Sequence, residues 1–176
     1  AYYIRNAKSG LYLDLQASGT TNGTNFQQYT FGDPSEVFTL ISVSTDVYAV
    51  KSTFYNAEGR SMVMDGRSNC VAGAQVILYP RVSEAPEQDW YFRRNDDGTY
   101  CISPKKNVYL NLAVEGSSTS NNAKVKLEAR VSSDNQKWYL EPVSAADFQP
   151  KYMFPDPEGL LKRLHEDKGL EVCVWI

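Results

Sequence analysis

A chain of 176 residues, 42% apolar and 22% charged, suits one globular domain with room for an appendage but not for a second core. Its net charge of -3 and pI near 5.2 supply no broad basic field, which argues against nucleic acid, heparin or an anionic membrane as partner. No run of about 18 apolar residues occurs, and the opening AYYIRNAKSG lacks the basic-then-apolar grammar of a secretory signal, so neither membrane insertion nor export is expected.

In chain order, the first predicted strands lie in YYIRNAKSGLYLDL (Tyr2 to Leu15) and in TNFQQY, and this set ends on Phe38. The second runs from Tyr48 to Asp65, passes through the turn DGRSN into AQVILY, and ends on Trp90 in EQDWYF. The third runs through YCISPKKNVYLNL (Tyr100 to Leu112), EGSSTSNN and AKVKLE, and ends on Trp138 in NQKWYL. Tyr3 to Asp14 and Tyr100 to Asn111 each span 11 residues, whereas Tyr48 to Asp65 spans 17, as if TFYNAEG lengthened one turn. The closing aromatics are 52 and 48 residues apart, so a unit of about 50 residues is written three times, over about 1–43, 44–95 and 96–143.

No helical periodicity appears before residue 145, and the predicted class is all-β. A lone strand-rich unit of about 50 residues leaves its apolar face and sheet edges in water, so three should close around one core. Phe38, Trp90 and Trp138 recur at matched positions where bulk is needed, and read as core anchors in preference to ligand platforms.

Cys70, Cys101 and Cys173 are an odd number with no CxxC pair and read as buried free thiols; the single His165, in KRLHEDKG, reads as a solvated surface residue. No metal or cofactor is expected. No paired carboxylates in an acid/base setting and no supported Ser/Cys-His arrangement point to an enzyme.

Three repeats with Gln-x-Trp closing two of them resemble the ricin B-type (R-type) lectin family from about Tyr2 to Val143. The resemblance implies a β-trefoil fold with pseudo-threefold symmetry. It also implies a shallow sugar site in each repeat, built from an early Asp, an aromatic ring about 15 residues on, and an Asn-Gln pair before the Trp, the Gln holding the Asp. Such a site is chemically sensible, since a flat ring covers the sugar's C–H face and a carboxylate accepts from its hydroxyls. Carried over, the second repeat matches best and is expected to be the main site, with Asp65 as hydroxyl acceptor, Tyr79 as platform, Gln88 as orienting amide and Glu87 in the Asn place. The first offers Asp14 and Tyr29, with Ser35 and Glu36 in the Asn-Gln places; Glu36 cannot donate to Asp14 when both are ionised. The third keeps Asn135 and Gln136 but has Asn111 for Asp and Glu128 for the ring, a weak or vestigial site. Each acidic position also reads as an ordinary turn residue. Where secreted relatives of the family place a disulfide in each repeat, this chain has Tyr12 and Phe31, Val63 and Arg81, and Tyr109 and Arg130. The expected compartment is therefore reducing, as for cytoplasmic fungal members of the family.

After Ser144 the pattern changes. Asp156 as N-cap, Pro157, the stripe Leu160, Leu161, Leu164, and Gly169 as C-cap predict a short helix, and LEVCVWI a terminal strand. This extension (144–176) could pack on the barrel, make a homodimer contact, or begin a larger domain. The functional expectation is a multivalent agglutinin binding galactose or N-acetylgalactosamine glycans on glycoproteins or glycolipids. The rivals are a β-trefoil protease inhibitor and the carbohydrate-binding module of a glycosidase.

Overall fold

A computed structural model describes residues 1–144. The chain divides into two units, Ala1–Val143 and Ser144–Ile176. The helix and strand expected in the extension, with His165 and Cys173, lie outside the described residues.

The first unit is built from twelve strands: β1 (Tyr2–Asn6), β2 (Tyr12–Leu15), β3 (Phe26–Tyr29), β4 (Val37–Ser44), β5 (Val47–Tyr55), β6 (Ser61–Asp65), β7 (Ile77–Pro80), β8 (Trp90–Arg94), β9 (Tyr100–Pro104), β10 (Leu110–Val114), β11 (Val125–Ala129) and β12 (Trp138–Pro142). Six of them close a ring of antiparallel pairs, β1 to β12 to β9 to β8 to β5 to β4 and back to β1, which leaves the barrel without a free edge. The other six form three hairpins, β2–β3, β6–β7 and β10–β11. Single bridges Asn25 to Ile77, Gln27 to Lys124 and Gln75 to Lys126 tie each hairpin to the next. Four strands per repeat, three hairpins and a closed barrel make this a β-trefoil.

The aromatic residue that closes each repeat reaches the centre. Phe38, Trp90 and Trp138 are each 0% exposed, and Phe38 meets Phe26 with ring centroids 5.7 Å apart. Both tryptophans spend their one donor in the same way: Trp90 Nε1 donates to the Met64 carbonyl and Trp138 Nε1 to that of Leu112, each at 3.0 Å and across 26 residues. An indole can fill the core here because its N–H is satisfied on the hairpin above it. Around them pack Ile4, Leu13, Leu15, Met62, Met64, Leu78, Ile102, Leu112, Val114 and Leu127. Fully burying such side chains is worth about 1.5–3 kcal/mol each.

On the pseudo-threefold axis the Gln75 amide Nε2 lies 2.9 Å from the carbonyls of Phe26, Val76 and Val125, one from each repeat. Two amide hydrogens thus serve three converging acceptors. Where family resemblance would put a disulfide in the first repeat, Tyr12 and Phe31 pack ring on ring at 5.2 Å, with Tyr3 against both. Cys70 is a buried free thiol as expected, whereas Cys101 is free but only half-buried.

Candidate functional site

β2 and β3 place the first-repeat residues. Their register sets Asp14 opposite Gln27 and Tyr12 opposite Tyr29, so strand alternation brings Asp14, Gln27 and Tyr29 to one face of the hairpin. The chain then leaves β3 through Gly32 into the segment DPSE, a 3-10 turn capped by Asp33, with Glu36 returning to the cap in a capping box. That turn lays Ser35 and Glu36 beside Asp14.

Asp14 is only 4% exposed. Gln27 Nε2 donates to its Oδ2 at 2.7 Å, and the Ser35 hydroxyl makes a very short hydrogen bond to its Oδ1. The same hydroxyl lies 2.7 Å from Asp33 Oδ1. A serine has one proton to give, so it serves one carboxylate at a time. Burial raises the pKa of Asp14, opposed by the donors Ser35 and Gln27. At Asp33 burial also works upward, but donation from Ser35 and Ser18 outweighs it and holds the carboxyl below its ordinary range. Asp14 and Asp33, both within reach of the Ser35 hydroxyl, thus line a cleft of about 450 Å³ together with Tyr29 and with Asn122 and Lys124 from the third repeat. Tyr29 remains 38% exposed, a ring available to a ligand.

Glu36 is 0% exposed. Its Oε2 accepts from the backbone N–H of Gly32 at 2.9 Å and of Asp33 at 3.3 Å, while its Oε1 is buried without a hydrogen-bond partner. Burial pushes its carboxyl up to about 7, aided by the charges of Asp14 and Asp33 and opposed by the two N–H donors.

In the second repeat the same parts are arranged differently. Gln88 Nε2 donates to Asp65 Oδ2 at 2.9 Å and to the Pro80 carbonyl at 3.0 Å, while its Oε1 accepts from Val82 N–H at 2.8 Å. The other Asp65 oxygen takes the Arg67 N–H at 2.5 Å, which is the turn role open to any Asp at such a position. Burial raises the Asp65 pKa against the donors Gln88 and Arg67. Tyr79 is 40% exposed, and Glu87 turns to Lys106 at 3.5 Å.

In the third repeat the polar atoms are committed internally. Asn111 is 0% exposed, accepts from Ser103 Oγ at 2.7 Å and donates to Gln136 Oε1 at 2.9 Å. Asn135 donates to the Val114 carbonyl at 3.0 Å and to Glu128 at 3.3 Å, and Gln136 donates to the Ala129 carbonyl at 2.9 Å.

Sequence reasoning named Asp14, Tyr29, Ser35 and Glu36 and missed Gln27, Asp33, Ser18, Asn122 and Lys124. Gln27 was within reach, since it lies two residues before Tyr29 on a strand, and DPSE carries the N-cap signature that gives Asp33. Asn122 and Lys124 had no such signal, because they enter from another repeat. Among the described residues no group of three or more His, Cys, Asp or Glu could hold a metal ion, and no helix is long and apolar enough to cross a membrane.

Residues 1–79, 52–128 and 86–149 each match the family model described as ricin-type beta-trefoil lectin domain-like. The fold is similar to that of ThreeFoil, a designed 3-fold symmetric protein (TM-score 0.73, 27% identity, 81% of this chain and 98% of that one). It is also similar to the ricin B-like lectin of Macrolepiota procera, solved in complex with lactose (TM-score 0.63, 18% identity, 81% and 94%), a likeness of fold alone. A stretch of 26 residues is 65% identical to alpha-xylosidase XylQ of Lactiplantibacillus pentosus; it covers 15% of this chain and only 3% of that protein. With family matches running from residue 1 to residue 149, the chain belongs to the ricin-type β-trefoil lectin domain-like family, a carbohydrate-binding fold family.

Proposed function

We propose that this protein is a non-catalytic lectin that binds galactose- or N-acetylgalactosamine-type glycans, chiefly through the first-repeat cleft. The observation that carries the reading is the cleft itself, where Asp14, held by two donors, and the exposed ring of Tyr29 line one cavity with Lys124. The ring covers the apolar face of a sugar, and Asp14 and Asp33 accept from its hydroxyls. The second repeat is the weaker site in this reading, because the carboxylate acting on Asp65, Glu87, is turned to Lys106, whereas Asp14 and Asp33 line one cleft with Tyr29. The third is vestigial, since Asn111 is enclosed and its polar atoms are used. A glycan array on the whole chain, followed by calorimetric titration with lactose, tests the reading; no binding to any galactose-terminated glycan at millimolar concentration rejects it.

A second reading, a sugar-binding module of a longer glycosidase, is favoured by the short stretch of high identity to an alpha-xylosidase. The sugar chemistry of the cleft is the same in both readings, and the gene around these 176 residues separates them. A β-trefoil protease inhibitor would need neither the Asp14 nor the Asp65 arrangement, and inhibition assays on serine and cysteine proteases test it. Free Cys70 and Cys101 support a reducing, cytoplasmic setting. For the homodimer expected through residues 144–176, light scattering of the chain with and without them is decisive.

A further inference from the structure

We infer that Glu36 is the positioning residue of the first-repeat site and works with its proton on, so that sugar binding there is gated by pH. The inference rests on the lectin reading for its ligand but not for its protonation.

The argument starts from the three repeats. In the second, the side chain before the closing aromatic frame is Gln88, which accepts one backbone N–H through Oε1 and, through Nε2, donates to Asp65 and to a carbonyl two residues before that N–H. In the third, Gln136 accepts from Val131 N–H at 3.0 Å and donates from Nε2 to the Ala129 carbonyl. Glu36 copies the accepting half, taking the N–H of Gly32 and of Asp33 on Oε2. The donating half is missing, for its Oε1 is enclosed and unpartnered. A buried carboxylate oxygen with no donor is costly, and a carboxylic acid in the same place supplies the O–H that the glutamines supply as N–H.

The surroundings agree. The charged side chains acting on Glu36 are Asp14 from β2 and Asp33 from its own turn, both negative, and Tyr12 of β2 lies near enough to feel its charge. Among the described residues no cation joins the charges acting on Glu36: Arg5 of β1 is committed to Glu141, and Lys51 of β5 lies over the Tyr55 ring. The β5 side chain hydrogen-bonded to this turn is the uncharged Thr53, donating to the Pro34 carbonyl at 3.4 Å. Protonated, Glu36 adds no charge beside Asp14 and Asp33, and its bonds to the Gly32 and Asp33 N–H hold the turn that carries Asp33 and Ser35 to the cleft. Ionised, it sets a third negative charge against Asp14 and Asp33.

Lactose is the probe, titrated into wild type and Glu36→Gln from pH 5 to pH 8.5, with thermal midpoints measured over the same range without sugar. Wild-type affinity should be greatest near pH 6 and fall above pH 7 toward about tenfold per pH unit, whereas Glu36→Gln should keep its affinity to pH 8.5. The midpoint of the variant should rise above that of wild type as pH increases. Parallel affinity profiles for the two proteins overturn the gating, and parallel midpoints overturn the protonated state whether or not lactose binds. A midpoint gap that opens with pH in a chain that binds neither lactose nor any other galactose-terminated glycan rejects the lectin reading and the positioning role together, while leaving the proton on Glu36 established.

Discussion

Replacing Asp14 by Asn tests the site most directly, because it keeps the volume while it removes the charge and turns one acceptor oxygen into an N–H donor. Each Asp14 oxygen already accepts one protein donor, Gln27 on Oδ2 and Ser35 on Oδ1, which leaves one lone pair on each for a sugar hydroxyl. A hydrogen bond to a charged group is worth about 1.5–3 kcal/mol and a neutral one about 0.5–1.5, so two such bonds lose about 2–3 kcal/mol, roughly 30- to 150-fold in Kd. Stability should change far less. At 4% exposure the fold already disfavours the charged form of Asp14, and a neutral amide relieves that cost while Ser35 can turn its proton to Asp33. A thermal midpoint within about 4 °C of wild type is therefore expected. Lactose titration at pH 6.5, with Asp65→Asn in parallel, reads both effects. Unchanged lactose affinity in Asp14→Asn together with a tenfold loss in Asp65→Asn would refute the assignment of the main site to the first repeat.

Tyr29→Ala should weaken lactose binding by about 3- to 12-fold through loss of the ring stacked on the sugar, with little change in stability; an unchanged isotherm would remove Tyr29 from the site. Trp138→Ala opens the barrel core at a residue that is 0% exposed, and should cost about 3–5 kcal/mol, read as a fall in the urea midpoint. Gln75→Ala takes the shared donor from three carbonyls on the axis and should cost about 1–3 kcal/mol, a loss that water at the axis would reduce. Because Glu36 holds its proton more tightly in the fold than at its ordinary value of 4.5, its contribution to stability is whole below about pH 4.5 and is lost as pH rises through about 7. Wild type should therefore lose up to about 3 kcal/mol relative to Glu36→Gln between those limits, measured by denaturant unfolding at several pH values. Burial pushes the Cys70 thiol up to about 11, so iodoacetamide at pH 8 should label Cys101 well before Cys70, as peptide mapping would show.

The sequence by itself determined the architecture, because a repeat of about 50 residues with a closing aromatic and no helical period leaves strand-rich units that must share a core. The resemblance named three residues near Asp14, and Tyr29, Ser35 and Glu36 are indeed held there by one hairpin and one capped turn, but it did not name Gln27, whose amide holds Asp14. The roles of the three repeats were another matter. Asp65 and Gln88 match the family pattern in sequence, yet only the folded chain shows the Arg67 N–H taking one carboxylate oxygen. Asn111 could not be known as enclosed until Ser103 and Gln136 closed on it. Lys124 reaches the first-repeat cleft because the hairpins meet at the axis, Gln27 bridging to Lys124 across 97 positions of chain. The state of Glu36 lay furthest from the sequence: a glutamate in a glutamine's place is legible as a letter, but its missing donor exists only once burial removes the water that would have supplied one. Contacts set by neighbours along the chain follow from pattern, whereas desolvation and contacts between repeats arise only when the barrel closes.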